Sequence, residues 1–225
     1  MTRGRAAVVG VVVLALVVGV LLLRGRLAPA PEAPTEPPTA LALAESRVVR
    51  ELGDLPEFTA KLGGLPEAER RTALQVIEVK GMGRLSDDAL LQRAALVDQM
   101  LGSLDPETCG AIVQGRPTAE QLDRALASLG PSATQAWAEL SFEAARAELL
   151  DAPAPPADPT AVRVAMIALS KRFPAAESKR LGAALASLSS LPETDACWAG
   201  RTVYRQVHEI GAPHDRALAR VLAQP

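Results

Sequence analysis

The side chains that could do chemistry are few. Cys109 and Cys197 are the only cysteines, and His208 and His214 the only histidines, in 225 residues. No Cys-x-x-Cys occurs and no histidine stands at ligand spacing from a cysteine, so a metal centre is not expected. The two histidines are six residues apart with Gly211 to Pro213 between them, whereas a pair of helical ligands needs three or four. Surface or capping roles suit them better. No Ser-His-Asp or Cys-His arrangement is readable, and no glycine-rich phosphate loop is present, so the sequence nominates no catalytic residue and no cofactor. Glu139, Glu143 and Glu148 could supply the carboxylate pair of a glycoside-cleaving site. Acidic residues on a solvated helix face are the commoner meaning of that pattern.

The cysteines admit two readings. In an oxidising compartment they can form a disulfide closing a loop of nearly ninety residues, which would stabilise the fold by about 2–4 kcal/mol. Alternatively both are small apolar core residues, Cys109 sharing a face with Ile112 and Val113, and Cys197 with Tyr204. Trp137, Trp198 and Tyr204 are scarce large aromatics in a chain only 3% aromatic. They serve either as core anchors or as contacts in a partner's groove.

What must position these groups begins with Ala6 to Leu23, an uncharged, proline-free run of eighteen residues bracketed by Arg3 and Arg5 before and Arg24 and Arg26 after. As a helix it would be roughly 27 Å long, near the hydrocarbon thickness of a bilayer. Thirteen of its residues are valine or leucine, favouring insertion by about 4–8 kcal/mol. The run exceeds a signal peptide's apolar region, and the nearest Ala-x-Ala pattern, Ala28 to Ala30, is followed by Pro31. A single uncleaved transmembrane helix over 6–23, behind a tail of residues 1–5, is therefore predicted, with the bilayer as its partner. The arginine count is tied between the two ends; the α-amine tips the N-terminus toward the cytoplasm and the remaining mass outside it. The small-residue pairs Ala6/Gly10 and Ala15/Gly19 fall on opposite helix faces and make no association seam.

Residues 24–40 form a Pro/Ala-rich linker whose core, APAPEAPTEPPTA, favours extended polyproline II over helix or sheet. Beyond it the chain reads as all-α: apolar residues recur at three and four, and β-branched runs are missing. Helices are expected over about 42–53, 56–63, 66–80, 86–104, 106–114, 118–129, 132–150, 159–172, 174–190, 192–210 and 213–223. Ser86, Asp158, and the capping-box pairs Thr118/Gln121 and Ser132/Gln135 mark helix starts. Gly81-Met82-Gly83 reads as an interruption between two helices. Setting aside four arginines and two glutamates of the first 40 residues leaves 20 basic against 24 acidic side chains, interspersed as on a solvated surface. Nucleic-acid binding would require a basic stripe or stacking aromatics, and neither is present.

One phrase, Leu-x-x-Leu-Pro-Glu, recurs at Leu52 to Glu57, Leu62 to Glu67 and Leu188 to Glu193, and with one inserted aspartate at Leu101 to Glu107. Two leucines finish a buried helix face, proline blocks continuation, and glutamate suits the next helix's first turn. Two of these corners open a longer match: corner, Pro-Glu-Thr, cysteine, then Asp123 to Ala127 or Asp215 to Ala219, both reading DRALA. A degenerate duplication is inferred, copy one over about 86–129 and copy two over about 174–222. A second proline-rich linker over 151–159 separates helical regions 41–150 and 160–225; one continuous bundle is the other arrangement the pattern allows.

The expectation is a single-pass membrane protein of the bacterial envelope, presenting an all-α, non-catalytic domain outside the cytoplasm to another protein. An envelope enzyme acting on cell wall and a cytoplasm-facing adaptor with reduced cysteines are the alternatives.

Overall fold

The computed structural model describes residues 40–223, and the predicted span over 6–23 and the linker up to residue 39 lie outside them. Among the described residues no helix is long and apolar enough to cross a membrane. They are all-helical, in this order: α1 Ala40–Gly53, α2 Pro56–Leu62, α3 Glu67–Met82, α4 Asp87–Ser103, α5 Pro106–Val113, α6 Ala119–Ala127, α7 Gly130–Leu149, α8 Pro159–Lys171, α9 Ala175–Ala186, α10 Glu193–Ile210 and α11 His214–Leu222.

Capping chemistry fixes several of these starts. The Ser86 hydroxyl accepts from the Ala89 N–H at 3.2 Å, and the Asp158 carboxylate from that of Thr160 at 2.8 Å, ahead of Pro159 at the first helical position. Thr118 and Gln121 form a complete capping box. The Ser132/Gln135 pair does not. Helix α7 already begins at Gly130, so Ser132 lies within its first turn, and the Gln135 amide donates to Glu139 at 3.0 Å instead. The expected helix over 174–190 is also divided: α9 ends at Ala186 and a 3-10 turn follows at Leu188–Ser190. Serine is the physical cause. The hydroxyls of Ser187 and Ser190 donate to the carbonyls of Ala183 and Ser187, competing with the helical ladder.

The recurring leucine phrase is a helix corner each time. In three of the four, the second leucine's N–H donates to the first's carbonyl: Leu55 to Leu52, Leu65 to Leu62 and Leu191 to Leu188. The first leucine of every corner is buried, which anchors the turn in a core.

Two apolar clusters result. The smaller joins Leu52, Phe58 and Leu62 of the first two helices to Ala145 and Leu149 of α7. The larger runs from Met82 to Ala223, taking in Leu140 and Ala144 of α7. Helix α7 thus bridges both. Gly81 belongs to this bridge and is no mere interruption: it lies inside α3, and a Cβ there would stand 1.8 Å from the Ala144 carbonyl oxygen. Only glycine permits that approach. The proline-rich stretch after Asp151 is exposed, and it separates the two halves in sequence but not in packing. Helices α10 and α11 both lie on α4, with α10 also on α5, and the larger cluster draws on both halves. Buried Arg220 of α11 reinforces the join, donating to the Gly83 and Leu85 carbonyls and pairing with Asp87.

Candidate interaction site

The closest inter-helix contact between the halves is that of α5 with α10, and three devices make it. Cys109 and Cys197 are joined by a disulfide with their Cα atoms 5.2 Å apart. Both are buried, at 0% and 2% exposure. Glycine sits where the helices touch: a Cβ on Gly110 would lie 2.0 Å from the Glu193 carbonyl oxygen, and one on Gly200 would lie 2.4 Å from Val113 Cγ2.

The third device is a reciprocal pair of caps. The buried Gln114 amide, at the end of α5, donates to the carbonyls of Leu188 and Leu191 at 2.9 and 2.7 Å. Arg201 of α10 donates in the opposite sense, Nε to the Leu101 carbonyl and Nη2 to that of Leu104, each at 2.7 Å. These four carbonyls belong to the two leucines of the corresponding corners, one in each half. A carbonyl released by the end of a helix needs a donor when water is excluded, and each half supplies the other's. The Gln114 side-chain oxygen is also occupied, accepting from Arg116 at 2.9 and 2.7 Å.

Above this contact the surface forms a ridge at Pro106 and Thr194, with an open cleft on each side of it. The first cleft, of about 640 Å³, is lined by Asp105, Glu107 and Glu120 against a single cation, Arg124. The Asp105 carboxylate caps α5, accepting the Thr108 N–H at 2.9 Å, and lies 3.6 Å from Arg124. The Thr108 backbone and side-chain hydrogen bonds hold that carboxyl below its ordinary pKa, Arg124 adding a smaller pull.

The second cleft, of about 470 Å³, runs between the start of α9 and the outer face of α10. Phe173 and Trp198 give it apolar walls, and Arg201, Arg205 and Glu177 line it with charge. Trp198 is half-buried and Arg180 lies over its ring, 4.0 Å from the centroid, while pairing with Asp195 at 3.0 Å. Cys197 forms part of the floor, so the disulfide fixes the helix that carries the cleft.

The three aromatics singled out from sequence separate here. Trp198 lines a cleft. Trp137 is half-buried on α7 and packs against the larger core. Tyr204, only 2% exposed, presents no surface to a partner; it lines a small apolar pocket together with Val113 and Gly200. Glu148 pairs with Arg84 at 2.6 Å, and Glu139 and Glu143 are exposed elsewhere on α7. His208 and His214 line neither cleft. Among the described residues no group of three or more His, Cys, Asp or Glu is placed to hold a metal ion. Sequence reasoning missed Gln114, Arg201 and Arg205. The first two carry a weak signal, standing four or five residues after the paired cysteines; Arg205 carries none.

No protein-family model matches this chain, and no curated protein or solved structure matches it either.

Proposed function

We propose that this chain is a single-span membrane protein of the bacterial envelope that presents a disulfide-tied, non-catalytic helical module to another polypeptide outside the cytoplasm. The observation that carries the reading is the bond between Cys109 and Cys197. Disulfides persist in oxidising compartments and are rare in a reducing cytoplasm, so the bond supports an external location for everything beyond the apolar run at 6–23. The run and its arginine flanks supply the anchor, and the Pro/Ala segment up to residue 40 supplies a spacer.

The contact surface is the double cleft about Pro106 and Thr194. A half-buried tryptophan with a stacked arginine, set among unlike charges, suits polypeptide recognition better than the enclosed apolar pockets that take small molecules. The same reading treats 86–129 and 174–222 as degenerate copies of one unit. The exchange of caps between Gln114 and Arg201, and the bond between cysteines at matching places, support that descent, since related halves meeting face to face make reciprocal contacts.

Membrane extraction tests the reading. Full-length chain should stay in the pellet after alkaline carbonate washing, and protease added outside intact spheroplasts should remove its helical module. Release by carbonate would contradict the anchor; protection until lysis would contradict the orientation.

A further inference from the structure

The double cleft is its own electrostatic complement. On one side of the Pro106–Thr194 ridge three carboxylates outnumber one guanidinium; on the other Arg201 and Arg205 outnumber Glu177. Three of these charges are unspent. Among the described residues the exposed Glu107 carboxylate, the exposed Arg205 guanidinium and the half-buried Glu177 carboxylate have no hydrogen-bond or ion-pair partner, whereas Asp105 and Glu120 share Arg124; of the three, Glu107 and Arg205 are the exposed ones. A partner of one charge sign would be attracted by one cleft and repelled by its neighbour. A second copy, turned about a twofold axis through the ridge, meets neither penalty: its basic cleft faces the acidic one, and the match occurs twice.

We propose that the partner of this face is a second copy of the chain, the Glu107 cleft of each protomer receiving the Arg205 cleft of the other. This rests on the reading of the double cleft as the contact surface. Trp198 and Phe173 provide the apolar centre of the basic half, and the charges act as the rim that sets register. Tethering both copies to one bilayer raises their effective concentration, so a small interface suffices.

The test uses full-length chain in dodecyl maltoside micelles, with self-association read by sedimentation equilibrium and by co-purification of two differently tagged versions. Wild type should dimerise. Glu107→Arg and Arg205→Glu should each weaken homodimerisation about tenfold or more, each now setting like charges against one another twice. Mixing the two single variants should restore association to the wild-type level, because both contacts regain opposite signs in the mixed dimer. The double variant should restore it too. That rescue separates an interface effect from misfolding. Three results would overturn the proposal: monomers at every concentration, dimers indifferent to either reversal, or loss without rescue. Monomers with the carbonate and protease results intact would leave the anchored module standing and give the face to a foreign partner.

Discussion

Gln114 and Arg201 reach across one helix contact in opposite directions, each donating two hydrogen bonds to the corner carbonyls of the other half of the chain. The two ends of the α5–α10 contact are thereby closed by side chains of the opposite half, and the disulfide lies between them. Arg201 and Cys197 also line the second cleft, so loosening that end of the contact bears on the cleft directly.

Removing one cap should be costly. Gln114→Ala removes the side-chain donor from the Leu191 carbonyl and leaves that of Leu188 only the Leu191 N–H, and an unsatisfied buried acceptor costs about 1–3 kcal/mol. Arg201→Ala should fall in the same range, with part of the loss due to packing of its stem. Urea denaturation followed by circular dichroism measures both; a change within experimental error for either variant would mean that water replaces the cap freely.

The glycine contact makes a second, position-specific prediction. Gly110→Ala would drive a methyl group to 2.0 Å from backbone of the facing chain segment, which a rotamer change cannot relieve. Overpacking of this kind costs about 1–3 kcal/mol. Gly182→Ala is the contrast, since a Cβ there meets nothing within 4 Å and the position is mid-helix. It should stabilise by about 0.5–1 kcal/mol through helix propensity. Equal effects from the two substitutions would contradict the close approach of α5 and α10.

The disulfide closes a loop with a sequence separation of 88 residues. The double substitution Cys109→Ala, Cys197→Ala should lower stability by about 2–4 kcal/mol while leaving helical content unchanged. Reduction of the wild type should give the same denaturation midpoint shift, and the alanine pair should not respond to reductant at all.

Acid should loosen the ridge from its carboxylate end. Asp105 has its pKa lowered chiefly by the Thr108 backbone hydrogen bond, so its stabilising contribution is complete above the unfolded value of about 3.9. It is lost as the pH falls through the lower folded value. A carboxyl-detected NMR titration should place Asp105 below that reference. Asp105→Asn, which keeps the cap but cannot titrate, should remove this part of the acid sensitivity; a titration at or above the reference would contradict the capping geometry.

Much of the fold was legible because its signals are local. Most helices have a periodic apolar face, and most starts carry a cap or a proline that acts within one turn, as at Ser86 and Asp158. Two misread boundaries are also local in cause: a capping-box spacing placed inside a helix at Ser132, and serines that drew the backbone off the ladder after Ala186; the third, at Gly81, reflects the distant Ala144 backbone that the glycine admits. The site was far less legible. The distance between Gln114 and Leu188 is long in sequence, and nothing in a lone glutamine marks it as another segment's cap. Tyr204 and Trp198 sit six residues apart on one helix, but rotation about the axis sends one into the core and leaves the other in a cleft. Which way each faces depends on where α5 and α9 lie, and that is settled by packing of distant elements.

The external placement proposed for the disulfide-tied module can be tested directly. The most direct measurement is thiol labelling of full-length chain in intact cells with a membrane-impermeant maleimide, compared with labelling of an unfolded lysate before and after reduction. The expected result is no labelling of intact cells, none in the unfolded lysate without reductant, and two labelled cysteines once the lysate is reduced. Two reactive thiols in unfolded, unreduced lysate would contradict the bond and, with it, the external placement of the module.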